Sequence, residues 1–165
     1  GVLVLSRGGD SPLATAAQLV AEALPRVRRA VAVLVPPGTS VANPIDTPVG
    51  TLQKEEGRVA NQILDIVYET AAPDAVVMHL NLAAFVGRGD VDPIDNLFQA
   101  AVDIGQKYPG QAHFALALRS DGSAEIDDKK RAYRERALAN GIPVFDELPD
   151  AADALAALGH IEKRL

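Results

Sequence analysis

Short runs of apolar residues that do not alternate with polar ones are the feature that most constrains this fold. Such runs are typical of strands covered on both faces, as in parallel sheets. Three of them lie at residues 2–5, 75–80 and 113–118. Between and after them, apolar residues recur at helical spacing over residues 59–67, 94–104 and 151–158. Strand and helix therefore alternate along most of the chain.

This alternation predicts an α/β fold. Strands joined by helices form right-handed crossovers, and these place a parallel sheet between two layers of helices. We therefore expect a flavodoxin-like three-layer sandwich with a mainly parallel sheet and helices on both faces. The 165 residues, of which 48% are hydrophobic, are enough for a single domain over residues 1–165 with a sizeable core.

Three further segments are less regular. Residues 27–35 have the β-branched content of a strand, but their arginines and the two prolines that follow fit a short surface helix equally well. Residues 36–53 form a long connection rich in proline, glycine and threonine, a kind of loop that is often functional. Residues 128–140 have a weaker helical pattern and precede a predicted strand at 142–145. The candidates for its inward face are Ala132, Tyr133, Ala137 and Leu138.

Composition narrows the partners and the location. The 16 basic and 22 acidic residues give a net charge of −6, which argues against nucleic acid and against an anionic membrane surface as partners. We therefore expect a small molecule or a protein as the partner. The chain has no cysteine, so it has neither disulfides nor thiolate metal sites, which agrees with a cytoplasmic location. No apolar run approaches the roughly 18 to 20 residues of a membrane span.

The loop after the first strand is the first candidate site, because ligands of parallel sheets bind beyond the carboxyl ends of the strands. It contains Gly8-Gly9, with Ser11 as a helix cap and Pro12 in the first helical turn. Backbone amides at such a helix start are able to hold an anion. The same residues also suit an ordinary strand-to-helix corner. Because the full dinucleotide-binding fingerprint is absent, we favour the corner.

The loop after residues 75–80 is the second candidate. Arg88 stands there between Gly87 and Gly89, where its guanidinium is able to reach an anion. Three acidic residues follow: Asp90, Asp92 and Asp95. They crowd negative charge where a phosphate would bind. Acids at a helix start usually cap the helix and interact favourably with its dipole, so we favour caps over a magnesium site and predict no metal.

The third candidate loop, residues 40–46, contains Asn43, Pro44 and Asp46. The residue before a proline is extended, and Asn and Asp side chains lock turns by hydrogen-bonding to the backbone. A structural Asx turn is the simplest interpretation of this loop.

The other polar residues with a possible chemical role have simpler explanations. Arg119 follows the 113–118 strand and is able to reach an anion, while the Asp-Gly pair two residues later is typical of an ordinary turn. His79 and His113 lie in apolar strands, where a hydrogen-bonded core or edge histidine is the expected role. His160 lies near the end of the chain and is expected to be solvated.

Three stretches in order carry a resemblance to a known family. They are "SRGGDSPLATAA", "LVPPGTSVANPID" and "GIPVFDELPDAADALAAL", of which "NPID" and "GIPVF" are the most specific parts. The chain resembles the last flavodoxin-like domain of NDP-forming acyl-CoA synthetases, the group that contains ADP-forming acetate-CoA ligase, and succinyl-CoA synthetase is a more distant relative. The resemblance covers nearly the whole chain. Since the chain also begins inside a strand and without Met, we expect it to be a piece of a longer protein.

The resemblance implies a specific reaction for the parent enzyme. An acid, CoA and a nucleoside triphosphate give acyl-CoA, nucleoside diphosphate and phosphate through an acyl-phosphate and a phosphohistidine. The implied cofactors of that enzyme are CoA, ATP or ADP, and Mg, with none held by this fragment. The implied partners are CoA-binding and ATP-grasp domains or subunits. The residues that match the family, or lie in its phosphate-facing loop, are Gly8, Gly9, Asn43, Pro44, Asp46, Gly87, Arg88 and Gly89.

The chain departs from the family pattern in two respects. Its first loop lacks the third glycine and the aspartate of the usual Gly-Gly-Pro-Gly-Val-Leu-Ala-Ala-Asp run. None of its histidines stands in a Ser-His-Thr-Gly segment, so the fragment lacks the phosphoryl carrier and is expected to be inactive alone. The alternative is a stand-alone flavodoxin-like binding or signalling module. Against it, the acidic pair of a phosphoacceptor receiver is missing, and aromatic residues make up only 4%, too few for a typical flavin site.

Overall fold

The structure is an α/β fold with six strands and six helices in its described part. The computed structural model describes residues 25–52, 54–85, 93–162 and 164, together with strand 2–5. The strands are β1 (Val2–Leu5), β2 (Ser40–Val41), β3 (Ile45–Asp46), β4 (Ala75–Asn81), β5 (His113–Arg119) and β6 (Val144–Phe145). The helices are α1 (residues 25–32), α2 (Val49–Leu52), α3 (Arg58–Ala71), α4 (Pro93–Lys107), α5 (Ala124–Ala139) and α6 (Leu148–Glu162). Short 3-10 turns precede α3 at Lys54–Gly57 and follow β4 at Leu82–Ala84. Within these ranges, no helix has both the length and the apolar character that a membrane span requires.

The strands form a single sheet in the order β2-β3-β1-β4-β5-β6. Its β4, β5 and β6 strands are parallel, with Ala75 opposite His113 and Leu116 opposite Val144. Helices flank this parallel part of the sheet. The predicted α/β sandwich of flavodoxin-like type is therefore confirmed.

The other half of the sheet is antiparallel. β1 is antiparallel to β4, with Val2 opposite Met78, and it is also antiparallel to β3. β2 and β3 form an antiparallel hairpin. An apolar run indicates a buried strand but not its direction, which depends on the connection that follows it. The parallel direction expected for this first strand is therefore not found.

The two faces of the sheet pack against different helices, because successive strand residues point to opposite sides. Val76, Met78 and Leu80 of β4 belong to the main core, which α1, α3, α4 and α5 cover. The other face forms a smaller cluster of Val77, Ala115, Ala117 and Ala151 beneath α6. His79 has the same parity as Val77, so it lies on the face that α6 covers.

The segment 27–35, which was open between strand and helix, is helical to residue 32. Val27, Val31 and Val35 are buried at intervals of four residues, while Arg28 and Arg29 are exposed. Packing of one helical face against the core therefore outweighs the β propensity of the valines.

The weakly patterned segment near residue 130 begins earlier than predicted. The helix α5 starts at Ala124, after an extended Ser123, and the next strand covers only Val144–Phe145. Tyr133 and Ala137 are buried as predicted, together with Ile126. The prediction is wrong for Ala132 and Leu138, which are exposed. Because α5 packs through so few apolar residues, its inward face leaves little trace in the sequence pattern.

Candidate functional site at the carboxyl ends of the parallel strands

The parallel strands end together and form one rim of the sheet. Asn81 at the end of β4 lies opposite Arg119 at the end of β5, and Ala117 lies opposite Phe145 at the end of β6. Residues that follow these strands therefore meet at one edge, where ligands bind in open α/β sheets.

Four charged or titratable side chains lie within electrostatic reach of one another at this rim. They are His79, Arg119, Glu147 and Asp46, which we call the rim cluster. Burial lowers the pKa of His79 and Arg119 lowers it further, whereas Glu147 and Asp46 act in the opposite direction. The imidazole of half-buried His79 is therefore mainly neutral at pH 7 and able both to donate and to accept a hydrogen bond.

Arg119 is the cation that the rim offers to solvent. Its Nε lies 4.0 Å from Oε1 of Glu147, and the two side chains are 59% and 58% exposed. An exposed pair at this separation is screened by water and contributes little. Within the described part of the chain, no side chain or backbone oxygen accepts a hydrogen bond from the guanidinium. Its donors are therefore open to an anion from outside.

The loop after Arg119 is a hydrogen-bonded turn, as predicted for its Asp-Gly pair. The Ser120 hydroxyl accepts a bond from Gly122 N at 3.0 Å, and Asp121 Oδ1 accepts one from Ser123 N at 2.9 Å. The bond from the Ser123 backbone lowers the pKa of Asp121. Gly122 has a φ of +84°, which suits glycine. Asp121 is thus occupied in fixing the turn that follows the rim.

The start of α5 is a poor anion site in spite of its dipole. Its first turn carries Glu125 and Asp127, whose charges repel an incoming anion. Any anion contact on this strand end therefore falls to Arg119.

Asp146 and Glu147 have different roles although they are adjacent. Lys130 Nζ lies 2.9 Å from Asp146 Oδ1, and Arg134 contacts the same oxygen. The hydrogen bond from Lys130 lowers the pKa of Asp146. Asp146 therefore ties β6 to α5, and Glu147 is left to contribute its charge to the rim cluster.

The hairpin of residues 40–46 brings one predicted site residue to the rim. Its Asn43–Pro44 peptide bond is cis, and the Ser40 hydroxyl donates to the Pro44 carbonyl at 3.2 Å. Asp46 pairs with Ser40 across the hairpin, and its charge reaches His79. Asn43 lies in the turn itself.

Most of the other predicted site residues fall in segments that the structure does not describe. Gly8, Gly9 and Ser11 lie outside the described residues. So do Gly87, Arg88 and Gly89, together with Asp90 and Asp92. The roles assigned to them stay predictions.

Asp95 is a structural ion-pair partner. Its Oδ1 lies 2.6 Å from Nη1 of Arg136, which also stands over the rings of Phe98 and Tyr133 at 4.5 and 5.3 Å. The contact joins the first turn of α4 to the last turn of α5. Across the ranges described, no three His, Asp or Glu side chains are grouped so that they could bind a metal ion.

The remaining histidines lie away from the rim. His113 Nε2 is 2.8 Å from Glu162 Oε1, a contact between the start of β5 and the end of α6. His160 is exposed on α6, as predicted.

Sequence reasoning missed His79 and Glu147 as rim residues. The signal was their position: His79 lies two residues from the end of β4, on the face shared with Asn81, and Glu147 follows β6 after only one residue. A polar residue so near the end of a parallel strand lies close to the usual ligand edge.

Comparison with known proteins adds no name to this chain. No protein-family model, curated protein or solved structure matches it. What the chain does must therefore be argued from its own residues.

Proposed function

We propose that this chain is one flavodoxin-like domain of an NDP-forming acyl-CoA synthetase, with a docking surface and an anion contact near the phosphohistidine of its partners. Three ordered sequence stretches, including "NPID" and "GIPVF", support the family. The α/β sandwich is the fold that this resemblance implies.

The rim cluster is the observation that carries the proposal. Asp46 belongs to the "NPID" stretch, and its charge acts on His79 beside the open guanidinium of Arg119. A motif chosen for its resemblance and an exposed cation thus meet at the edge where parallel sheets bind ligands. This arrangement suits a phosphoryl group that another domain presents.

The chain's own residues then bind and orient. Arg119 donates hydrogen bonds to phosphoryl oxygens, and neutral His79 donates a further one or accepts one. Glu147 and Asp46 keep the rim from holding free phosphate tightly, so binding depends on the partner domain. The parent reaction forms acyl-CoA, nucleoside diphosphate and phosphate, and the histidine that carries the phosphoryl group lies in a partner domain.

The cofactors of that reaction belong to the partners. The described residues offer no group of acidic or histidine side chains that fits Mg. We therefore assign Mg and ATP or ADP to an ATP-grasp domain and CoA to a CoA-binding domain. We also place the assembled protein in the cytoplasm, in keeping with its lack of cysteine.

The test compares two arginine variants in the assembled synthetase. Arg119→Ala removes the proposed anion contact, and Arg131→Ala removes a similarly exposed arginine that pairs only with Asp128, at 3.3 Å, on the outer face of α5. A charge-assisted hydrogen bond of about 1.5 kcal/mol corresponds to about a tenfold slower acyl-CoA formation for Arg119→Ala. Arg131→Ala should leave the rate unchanged.

Two results would overturn the proposal. One is an equal rate for the two variants. The other is an absence of CoA-binding and ATP-grasp sequence from the parent reading frame and from its partner chains, in which case the chain acts as a stand-alone module.

A further inference from the structure

A second cavity lies at the opposite end of the sheet from the rim cluster. It has a volume of about 310 Å³ and is bounded by the ends of α3 and α4, the start of β5 and the connection from α5 to β6. Its walls include Tyr68, Gly105, Gln106, Phe114 and Ile142. This volume is at the lower end of the range of about 300–1,000 Å³ for small-molecule sites.

Tyr68 gives the cavity a buried polar group without a partner. Its side chain is only 2% exposed, and its ring stacks on Tyr108 with centroids 5.2 Å apart. Burial raises the pKa of Tyr68 to about 12. Tyr108 donates its own hydroxyl hydrogen to Glu69 at 2.9 Å, whereas no residue in the described ranges exchanges a hydrogen bond with the Tyr68 hydroxyl. Buried hydroxyls are normally satisfied, so this one indicates a partner from outside the chain.

Gly105 keeps the cavity open. It lies in α4, its φ is not in the left-handed region, and a Cβ built on it would meet no atom within 4 Å. Neither backbone conformation nor close packing therefore requires glycine at this position. Glycine in a helix destabilises it relative to alanine, and here that loss leaves the space beside the cavity free.

The lining defines the chemistry of an occupant. The described residues that line the cavity carry no charged side chain. Val102, Phe114 and Ile142 supply apolar surface, and Gln106 and Asn140 supply amides. The Asn140 Nδ2 is already used, since it donates to the Arg136 carbonyl at 2.8 Å. An ion would gain nothing here, because no opposite charge compensates for its desolvation.

We propose that this cavity binds a small uncharged molecule with an apolar body and a carbonyl oxygen or ring nitrogen that accepts a hydrogen bond from Tyr68. The site is separate from the rim cluster and stands whether or not the chain belongs to an acyl-CoA synthetase.

The test uses benzamide, benzoate and toluene as probes in an NMR titration of the ¹⁵N-labelled chain. Benzamide should shift the amide signals of Gly105, Gly141 and Ile142 together and saturably. Benzoate should bind at least tenfold more weakly because it is charged, and toluene should bind more weakly because it lacks an acceptor. The proposal is overturned if no probe gives saturable shifts at these residues, in which case the cavity holds solvent only.

Two variants make the test specific. Tyr68→Phe keeps the stacked ring and removes the hydroxyl, so it should raise the Kd of benzamide about three- to tenfold and leave that of toluene unchanged. Gly105→Leu places a side chain in the open space and should abolish binding while the thermal midpoint is kept or raised. An unchanged benzamide Kd in Tyr68→Phe contradicts the assignment. Arg119→Ala is the control for the rim, and a loss of benzamide binding in that variant would also contradict it.

Discussion

The ion pair between Asp95 and Arg136 gives a sharp stability prediction. Asp95 was a sequence candidate for a helix cap or a metal ligand, and the structure places it 2.6 Å from Arg136. Arg136 also lies over Phe98 at 4.5 Å and Tyr133 at 5.3 Å. Asp95→Asn removes one charge, and Arg136→Ala removes the pair and both ring contacts.

The expected magnitudes follow from exposure. The two side chains are about half exposed, at 47% and 52%, so the pair contributes about 0.5–1 kcal/mol. Each ring contact adds about 0.5 kcal/mol at such a site. Asp95 also gains about 0.3–1 kcal/mol from the dipole of α4. We therefore expect a loss of about 1 kcal/mol for Asp95→Asn and about 2 kcal/mol for Arg136→Ala.

The assay is urea unfolding of the two single variants and the double variant. The double-mutant cycle should give a coupling energy of about 0.5–1 kcal/mol at low salt, and 1 M NaCl should reduce it strongly. A coupling energy of zero refutes the structural role of the pair. So does a rise in the thermal midpoint with Mg²⁺ that disappears in Asp95→Asn, because Asp95 would then be a metal ligand.

Two further predictions test the rim cluster and the backbone. The NMR titration midpoint of His79 should lie below its usual value of about 6.5, and Arg119→Ala should raise it while Glu147→Gln lowers it. Because the folded pKa is depressed, His79 should make the protein less stable as pH falls below the unfolded pKa, and His79→Gln should flatten that slope; a midpoint above 6.5 contradicts the cluster. Gly105→Ala should stabilise the protein by about 0.5–1 kcal/mol, whereas Gly141→Ala, at a φ of +72°, should destabilise it by about 1 kcal/mol in urea unfolding. Equal effects of the two substitutions would contradict these backbone assignments.

Local sequence patterns were sufficient for the fold class. The apolar runs became β1, β4 and β5, and the helical spacing became α3, α4 and α6, because burial of one face or of both faces imposes those periods. The direction of β1 was not predictable, since it depends on where the chain travels after the strand. The same holds for residues 27–35, whose helical state reflects packing of Val31 in the core.

The candidate site was predictable only in part. Arg119 and Asp46 stood out from the sequence because they lie in or beside loops at strand ends. The partnership of His79 with Glu147 joins residues 68 positions apart, and no spacing in the sequence indicates it. The cavity near Tyr68 depends on three helix or strand ends meeting in space, so it leaves no local pattern.

The most direct measurement of the central proposal is acyl-CoA formation by the assembled protein with and without this chain. The partner's phosphohistidine should form from nucleoside triphosphate in both cases, while acyl-CoA should form only when this chain is present. Full acyl-CoA formation without the chain, or micromolar nucleotide binding by the chain alone, would contradict its assignment as a phosphate-facing docking domain.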